Sequence, residues 1–366
     1  MRRFDDSGPV LCGAVFNVIL FHMESVALYR KYRPQTFKDV LGQDHIVSVL
    51  EGAIKQGNIA HAYLFSGTRG TGKTSIARIV AREIGCSEND MYEIDAASNR
   101  GIDDIRELRD AVHVMPFESP YKVYIIDEVH MLTKEAFNAL LKTLEEPPRH
   151  VVFVLATTEM EKLPDTIVSR CQSFVFKKPT QTMLKKVVVD GAKKEGFSLE
   201  PAAADMIAIL AEGSFRDAWG TLQKILSCSK DKKVSVEEVE LVTGAPKGKL
   251  VNEFIEAIDE RNLDDGLETV QEVVASNLDI KTFLKLVLHK VRAVLLLRYA
   301  ADLEKMLEEQ FVEEDFAFLK ELSAKKGSHI NSEALYELLG AYDAVSRSYI
   351  PQLPLELALV KLVKKE

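Results

Sequence analysis

Cysteine is scarce in this sequence, which has four in 366 residues, and no two of them form a CxxC pair. The four lie too far apart along the chain to indicate a disulfide framework or a zinc site. This scarcity excludes a disulfide-stabilised scaffold and favours a reducing compartment, so we expect a cytoplasmic protein. The four are Cys12, Cys86, Cys171 and Cys228.

Long apolar runs are also missing, since no segment reaches the ~18 consecutive apolar residues that a membrane span needs. The nearest approach is Pro9–Phe21, which follows two arginines as the core of a signal peptide would. No small residues of a cleavage site come after it. We therefore interpret residues 1–23 as a non-native or disordered extension, with Met23 as the true start, and we expect no membrane contact.

An excess of positive charge is absent as well: 47 Lys and Arg face 56 Asp and Glu, a formal net charge of −9. This excludes a protein that covers DNA with positive charge from its whole surface, but it leaves room for a local basic face. Hydrophobic residues make up 46% and charged residues 28% of the chain, as in ordinary globular proteins. The length predicts two or three domains.

Residues 24–180 alternate short apolar runs with longer amphipathic stretches. This alternation predicts an α/β fold with a parallel sheet and helices on both faces, because the runs are apolar enough to be covered on both sides. The predicted strands are Ala62–Ser66, Tyr92–Asp95, Lys122–Ile126, Val151–Ala156 and Ser173–Phe176. The predicted helices between them are Asp44–Gln56, Lys73–Ile84, Asp103–Val114 and Thr133–Glu145.

The strand signal disappears after Pro179. A breaker, Gly244-Ala245-Pro246, separates a first group of helices from a last third, Lys249–Lys365, in which apolar residues recur at helical spacing. We therefore expect a small helical domain over 181–245 and an all-α domain over 246–366. The first group of predicted helices is Thr182–Glu195, Pro201–Ala211, Arg216–Ser229 and Ser235–Val242.

A phosphate-binding motif, GTRGTGKT, lies between a predicted strand and a predicted helix, the context that such a loop requires. Its glycines let backbone N–H groups converge on phosphate oxygens, Lys73 reaches the β- and γ-phosphates, and Thr74 offers its hydroxyl to Mg²⁺. The following helix points its positive end at the phosphates. The predicted nucleotide-binding residues here are Gly67, Thr68, Arg69, Gly70, Thr71, Gly72, Lys73, Thr74 and Ser75.

Two carboxylates, Asp127 and Glu128, end the apolar stretch VYIIDEVH. Asp127 suits Mg²⁺ held through water, and Glu128 suits polarisation of an attacking water. Alone, an acidic strand end is more simply a cap for the next loop, but the upstream P-loop favours the catalytic interpretation. Thr157 and Thr158 end the next strand, where their hydroxyls can bond a γ-phosphate, although threonine is common in strands. Arg170 follows an expected turn, Pro164–Ser169, and no charge near it in sequence would pair with it at helical spacing. Alone it would be an ordinary solvated charge.

Taken together, these stretches resemble the γ/τ subunits of the bacterial DNA polymerase III clamp loader, which are AAA+ ATPases. The resemblance covers roughly residues 24–245, and the last third is similar only in being helical and of suitable length. The motifs DEVHML and EIDAASN favour this family over eukaryotic-type loader subunits, and the intact P-loop favours it over the ATPase-inactive δ and δ′ relatives. The matching stretches are Leu28–Gln43, Ala62–Arg78, Glu93–Asn99, Val123–Leu132, Phe137–Pro148, Leu155–Glu159, Leu163–Cys171 and Gly213–Ala218.

The resemblance implies a role for each matching polar residue. It makes Asp127 a ligand of Mg²⁺ and Glu128 the group that activates water. Thr158, with or without its neighbour, becomes the sensor of the γ-phosphate. Arg216 ties the lid domain to the phosphate, and Arg170 reaches the ATP of a neighbouring subunit. The adenine pocket would be lined by Tyr29, Arg33, Val40 and Leu41, and the DNA backbone would contact Arg106 and Lys142.

The resemblance also implies an AAA+ nucleotide-binding domain over 24–180, a helical lid over 181–245 and an oligomerisation collar over 246–366. The implied partners are δ- and δ′-type subunits, further copies of the chain, the sliding clamp and primed DNA. With ATP bound, such an assembly opens the clamp and grips primed DNA. Hydrolysis then releases the clamp during chromosomal replication, as part of the DNA-directed DNA polymerase III holoenzyme.

Two departures from the family pattern stand out. The family carries a four-cysteine zinc module after the P-loop helix, whereas Gly85–Asp90 bridges that gap here with one cysteine. We therefore predict ATP and Mg²⁺ as cofactors and no zinc. The chain also stops soon after the helical third, without the τ-type extension that binds helicase and polymerase, so we expect a γ-length product, a natural short form or a truncated piece of a longer protein.

Two other classes of protein compete with this interpretation. A non-hydrolysing scaffold would bind nucleotide only as structure, but Lys73, Thr74, Asp127 and Glu128 are all present. A Holliday-junction-type or helicase-loading AAA+ motor would form homohexamers and carry a DNA-binding winged helix. That domain predicts a pair of strands near the C-terminus, where the sequence has only helical periodicity.

Overall fold

The structure, a computed structural model, describes residues 26–99, 101–229 and 231–364. The apolar stretch Pro9–Phe21 and the expected start at Met23 lie outside these residues. No helix in the described ranges is long and apolar enough to cross a bilayer.

Five parallel strands form a single sheet, and each strand bound agrees within one residue with the prediction. The strands are β1 (Ala62–Ser66), β2 (Met91–Asp95), β3 (Lys122–Asp127), β4 (Val151–Thr157) and β5 (Gln172–Val175). Their order is β2-β3-β4-β1-β5. Every residue of β1 and β4 is buried, which is what helices on both faces of a sheet produce.

The register brings the carboxyl ends of the strands into line. Ser66 of β1 lies opposite Thr157 of β4, and Asp95 of β2 lies opposite Asp127 of β3. Because the strands are parallel, the loops that follow β1, β3 and β4 meet at one edge of the sheet, where open α/β sheets bind their ligands.

Helices cover both faces of this sheet and form a separate core with each. One core joins Phe65 to Ile46 and Ile79, and the other joins Leu64 to Ile105 and Leu140. Ahead of them, α1 (Leu28–Lys31) packs with the helical part of the chain instead. The helices on the sheet are α2 (Asp44–Lys55), α3 (Lys73–Glu83), α4 (Ile102–Ala111), α5 (Lys134–Glu145) and α6 (Asp165–Val168).

The rest of the described chain is almost entirely helical, and its core is continuous. Val239 and Val251, on either side of Gly244-Ala245-Pro246, belong to the same cluster of buried residues. The domain boundary at 245 therefore stays a prediction. The helices are α7 (Gln181–Lys194), α8 (Pro201–Leu210), α9 (Phe215–Cys228), α10 (Val236–Thr243), α11 (Gly248–Glu260), α12 (Leu263–Ala275), α13 (Ile280–Tyr299), α14 (Glu304–Glu308), α15 (Glu313–Ala324), α16 (Ser332–Val345) and α17 (Leu353–Val363).

Two predictions about secondary structure were wrong. Strands do occur after Pro179, since β6 (Ser198–Leu199) pairs in parallel with β7 (Lys233–Val234). Two residues are too few to leave an alternating pattern, so these strands have no signal in the sequence. The expected turn before Arg170 contains the short helix α6.

The segment ahead of the sheet is tied to the helical part of the molecule. The backbone N–H of Leu28 donates to Oε1 of Gln223 at 2.9 Å, and the Tyr32 ring stacks on Trp219 with centroids 4.7 Å apart. These contacts hold residues 28–41 between α9 and the P-loop.

The short bridge that stands where the family has its zinc module is fixed by a carboxylate. Asp90 is buried and accepts hydrogen bonds from the backbone N–H groups of Glu118 and Ser119, at 3.0 and 2.9 Å. Burial raises the pKa of the neighbouring Cys86 thiol to about 11, so that sulfur stays protonated at neutral pH. The absence of zinc stays a prediction.

Candidate functional site

The P-loop forms the turn between β1 and α3, and it contacts the helical part of the chain. Gly70 has a φ of +74°, and a Cβ built there would lie 2.0 Å from Oγ of Ser214. Its carbonyl oxygen accepts a hydrogen bond from the N–H of Phe215 at 2.9 Å. Only glycine satisfies both the backbone conformation and this approach, so the start of α9 is docked on the loop.

Lys73 opens α3 as a buried charge without a carboxylate partner. The residue is 5% exposed, and its Nζ donates to the carbonyl oxygens of Gly67 and Thr68 at 2.7 and 3.0 Å. Within the described ranges no ion pair reaches it. Burial lowers its pKa, while the charges of Glu128 and Asp127 act in the opposite direction. A cation held this way favours the arrival of an anion.

The carboxyl end of β3 brings a hydroxyl and a carboxylate together. Oγ1 of Thr74 donates to Oδ2 of Asp127 at 2.8 Å, across 53 positions in the sequence. A hydroxyl oxygen and a carboxylate oxygen at this separation are a donor set that Mg²⁺ accepts, so the residues fit the predicted ion. The part of the chain that the structure describes has no cluster of three or more His, Cys, Asp or Glu that could hold a metal by itself.

Glu128 follows in a conformation that is rare for a residue with a side chain. Its φ is +49° and its ψ +43°. Its Oε2 accepts hydrogen bonds from Oγ1 and from the backbone N–H of Thr158, at 2.9 and 3.3 Å. Left-handed backbone at a non-glycine residue is typical of functional sites held by their surroundings. The predicted water-activating group and the predicted sensor are therefore in direct contact.

Thr157, the alternative to Thr158 as a sensor, is fully buried and faces His130 instead. Sequence analysis missed His130 although it lies inside the DEVHML motif. Its imidazole is 3.0 Å from the Thr157 hydroxyl and 3.2 Å from a carboxylate oxygen of Glu159. A lone histidine after a strand carries no pattern that predicts such contacts.

A cavity of about 480 Å³ lies between the P-loop, the segment ahead of the sheet and helices α7 and α9. It brings together most of the predicted nucleotide-binding residues. They are Tyr29, Arg33, Val40, Leu41, Arg69, Gly70, Thr71, Gly72, Lys73, Thr74, Ser75, Asp127, Glu128 and Arg216.

On the lid side of this cavity, Arg216 is the one lining residue that was predicted from the sequence. Val187 and Gly191 of α7 and Trp219 of α9 also line it. A Cβ on Gly191 would come within 2.3 Å of the Trp219 ring, so a small residue there lets the two helices close around the cavity. The motif at Ser214–Ala218 was the one signal in the sequence that pointed to this side.

Two arginines of the cavity lie around one aromatic ring. The Arg216 guanidinium is exposed and lies 6.0 Å from the centre of the Tyr29 ring. Burial lowers the pKa of Arg33, and the nearby Arg78 guanidinium lowers it further. This end of the cavity thus combines a flat aromatic face with positive charge, which suits a base and its phosphates.

Arg170 and the predicted DNA contacts lie outside the cavity. Arg170 has a charged partner that is distant in sequence, since its Nη2 bonds Oε1 of Glu145 at 2.6 Å, and its Nη1 bonds the carbonyl oxygen of Thr166 at 2.8 Å. Glu145 ends α5, 25 positions away, so sequence spacing could not show the pair. Arg106 is exposed on α4 and paired with Asp103, and Lys142 is exposed on α5.

Comparisons with known proteins give relatives over nearly the whole chain. The τ subunit of DNA polymerase III from Bacillus subtilis (strain 168) is 40% identical, over 93% of this chain and 63% of that protein. The τ subunit from Escherichia coli (strain K12) is also 40% identical, over 72% of this chain and 44% of that protein. The chain thus spans less than two thirds of the length of these curated relatives.

Two further comparisons concern the α/β part and the fold. A family model described as DNA polymerase III, delta subunit, matches residues 42–100 and 89–180. A RuvB variant from Thermotoga maritima has a TM-score of 0.50 at 22% identity, over 63% of this chain and 80% of that one. This likeness bears on the fold alone, and the fold class predicted from the sequence, a parallel sheet with helices on both faces followed by further helices, is confirmed.

Proposed function

The chain is a homologue of the γ/τ subunits of DNA polymerase III, and on that premise we propose that it is an ATP-hydrolysing motor subunit of a clamp loader. In this role it opens a sliding clamp and loads it onto primed DNA. The observation that carries the proposal is the arrangement at one edge of the sheet. Lys73, the Thr74–Asp127 pair and the Glu128–Thr158 pair all lie around the mouth of the P-loop.

The residues of the P-loop bind the nucleotide in this proposal. Lys73 exchanges two loop carbonyls for phosphate oxygens, which replaces neutral partners with charged ones. Tyr29, Arg33, Val40 and Leu41 surround the adenine. Arg216 reaches the phosphates from α9, so nucleotide and lid are linked. The contact of Ser214 and Phe215 with Gly70 is a second link between the P-loop and α9.

Glu128 and Thr158 orient the attacking water in this proposal. Glu128 accepts the water's hydrogen bond and polarises it. The Thr158 hydroxyl senses the γ-phosphate by exchanging its bond to Glu128 for one to phosphate, while the Thr158 N–H keeps its bond to Glu128. Mg²⁺, bound by Thr74 and through water by Asp127, would supply charge neutralisation on the phosphates.

The assembly proposed for this chain contains δ- and δ′-type subunits and further copies of the chain, joined through the helices of residues 246–366. Residues 181–245 act as the lid. Arg170 reaches the ATP of a neighbouring subunit once it leaves Glu145, and Arg106 and Lys142 track the DNA backbone. The described part of 246–364 contains no strand, which speaks against a winged helix and against a homohexameric junction motor.

The test replaces the proposed water-activating group without changing its size. We expect Glu128→Gln to keep ATP affinity within about twofold and to slow hydrolysis by on the order of 10²-fold or more, because the amide cannot polarise water as the carboxylate does. Binding is measured by calorimetry and turnover with clamp and primed DNA present. Glu135→Gln, an exposed change on α5, is the matched control.

Turnover of Glu128→Gln at the wild-type rate would contradict this role for Glu128. A wild-type chain that binds ATP tightly but never hydrolyses it, even with clamp and primed DNA, would favour the non-hydrolysing scaffold. Recovery of the sliding clamp with δ- and δ′-type proteins in a pull-down would support the proposed partners, and a homohexamer by mass measurement would contradict them.

A further inference from the structure

We infer that His130 is a positioning residue for ATP hydrolysis. It fixes the carboxyl end of β4, so that Thr158 holds Glu128 in place. The inference rests on the proposed ATPase function and adds to it a residue that does not touch the nucleotide. His130 lies in the turn just after β3, and its side chain is 5% exposed.

Both ring nitrogens of His130 have a partner at the carboxyl end of β4 or just after it. Nδ1 is 3.0 Å from Oγ1 of Thr157, and Nε2 is 3.2 Å from Oε1 of Glu159. The backbone N–H of Glu159 in turn donates to the same Thr157 hydroxyl at 3.0 Å. Burial alone requires partners for these nitrogens, and what is specific here is that both partners flank Thr158.

The protonation of this cluster follows from what each group can donate. The hydrogen bond from Lys162, whose Nζ is 2.8 Å away, lowers the pKa of the Glu159 carboxyl, so Glu159 is ionised at neutral pH and can only accept. Nε2 of His130 therefore carries a proton. In the neutral ring Nδ1 then accepts from the Thr157 hydroxyl, whose oxygen accepts from the Glu159 N–H. These three hydrogen bonds close a ring.

This ring of hydrogen bonds fixes Thr158, because it holds the residues on either side of it. Thr158 lies between Thr157 and Glu159, and its N–H and hydroxyl both point to Oε2 of Glu128. Glu128 is also held in left-handed backbone, which a residue with a side chain adopts only with support from its surroundings. Nδ1 of His130 also lies 3.5 Å from Oε2 of Glu128. His130 thus supports Glu128 both directly and through Thr158, and its loss would let both groups drift from the position that orients water.

The experiment compares His130→Ala with Thr157→Val in the full chain, with clamp-loader partners, clamp and primed DNA present. Each change breaks the ring from a different side, and Thr157→Val does so at nearly constant volume. We expect kcat to fall by roughly tenfold to a hundredfold in each, because small misplacements of catalytic groups have effects of that order. The KM and the dissociation constant for ATP should stay within about twofold, since neither residue lines the cavity.

Two further variants separate positioning from general damage. The double variant should be no slower than His130→Ala alone, because one ring cannot be broken twice. His130→Gln can still donate to Glu159 and should recover part of the lost rate. His113→Ala, an exposed histidine beyond α4, is the control and should behave as wild type. Melting temperatures show whether each variant is folded.

A wild-type kcat in folded His130→Ala or in Thr157→Val would overturn the inference, as would a kcat loss matched by an equal loss of ATP affinity. If His130→Ala does not fold, Thr157→Val and His130→Gln decide. Failure of the inference is distinct from failure of the proposed function. In the first case Glu128→Gln still blocks hydrolysis while the ring variants do not, and in the second the wild-type chain does not hydrolyse ATP at all.

Discussion

Two lysines in different regions are equally buried but differently compensated. Lys73 at the P-loop and Lys290 in α13 are each 5% exposed, and burial lowers the pKa of both. Lys290 forms an ion pair with Asp315 at 2.7 Å and donates to Oδ1 of Asn252 at 2.7 Å. Among the residues that the structure describes, Lys73 bonds only the carbonyl oxygens of Gly67 and Thr68.

The difference indicates that Lys73 serves to bind a ligand, whereas Lys290 serves to hold the helical core together. A buried charge is costly unless an opposite charge or several hydrogen bonds compensate it. Lys290 is compensated by its own chain, so it joins α11, α13 and α15 in the helical core. Lys73 gains full compensation only when an anion enters, and such uncompensated groups concentrate at functional sites.

The largest effect that tests this comparison is expected at Lys73. Lys73→Ala should weaken ATP binding by on the order of a hundredfold or more, because it removes a charged contact of about 3 kcal/mol. It should not lower the melting temperature of the nucleotide-free protein, since it removes a charge that the chain does not pair. Calorimetry with ATP and thermal unfolding without it measure the two quantities. A large fall in the melting temperature would contradict the comparison.

The opposite pattern is expected at Lys290. Lys290→Met should lower the free energy of unfolding by about 3–5 kcal/mol, because it leaves the largely buried Asp315 carboxylate unpaired. ATP affinity should stay within about twofold. Urea denaturation measures the change. The double variant Lys290→Met, Asp315→Leu is the control and should recover much of the loss, and a double variant as unstable as the single one would show that the pair itself is not the cause.

The smallest effect is expected for the surface pair of Arg170 and Glu145, whose side chains are 34% and 49% exposed. Arg170→Ala and Glu145→Gln should each change the free energy of unfolding of the isolated chain by less than about 1 kcal/mol, since exposed ion pairs contribute little. Neither should change its ATP affinity by more than about twofold. A tenfold loss of affinity in Arg170→Ala alone would indicate that Arg170 acts on its own subunit's nucleotide.

The sequence predicted the parts of the site that are local in the chain. The P-loop and the acidic end of β3 could be found because each is a short motif after a strand that is apolar on both faces. The sequence assigned Thr74 and Asp127 to the same ion, and the structure adds the direct hydrogen bond between them. The lid side of the cavity could not be predicted in the same way, because Trp219 and Gly191 meet the P-loop only through tertiary packing.

Other misses have the same physical origin. The pair of Arg170 with Glu145 joins residues from two helices, and no helical or strand period relates them. The contacts of His130 depend on the register of β3 with β4, which brings the ends of the two strands together. The strands β6 and β7 are two residues each, below the length at which alternation can be read.

The docking of Ser214 against Gly70 has a consequence for how this chain can change in evolution. A side chain at position 70 would have to displace the start of α9, and a larger residue at position 214 would have to displace the P-loop. Neither position can therefore accept a bulkier residue alone without separating the loop from the lid. Among related chains we therefore expect the residues at positions 70 and 214 to change together, although 144 positions of sequence separate them.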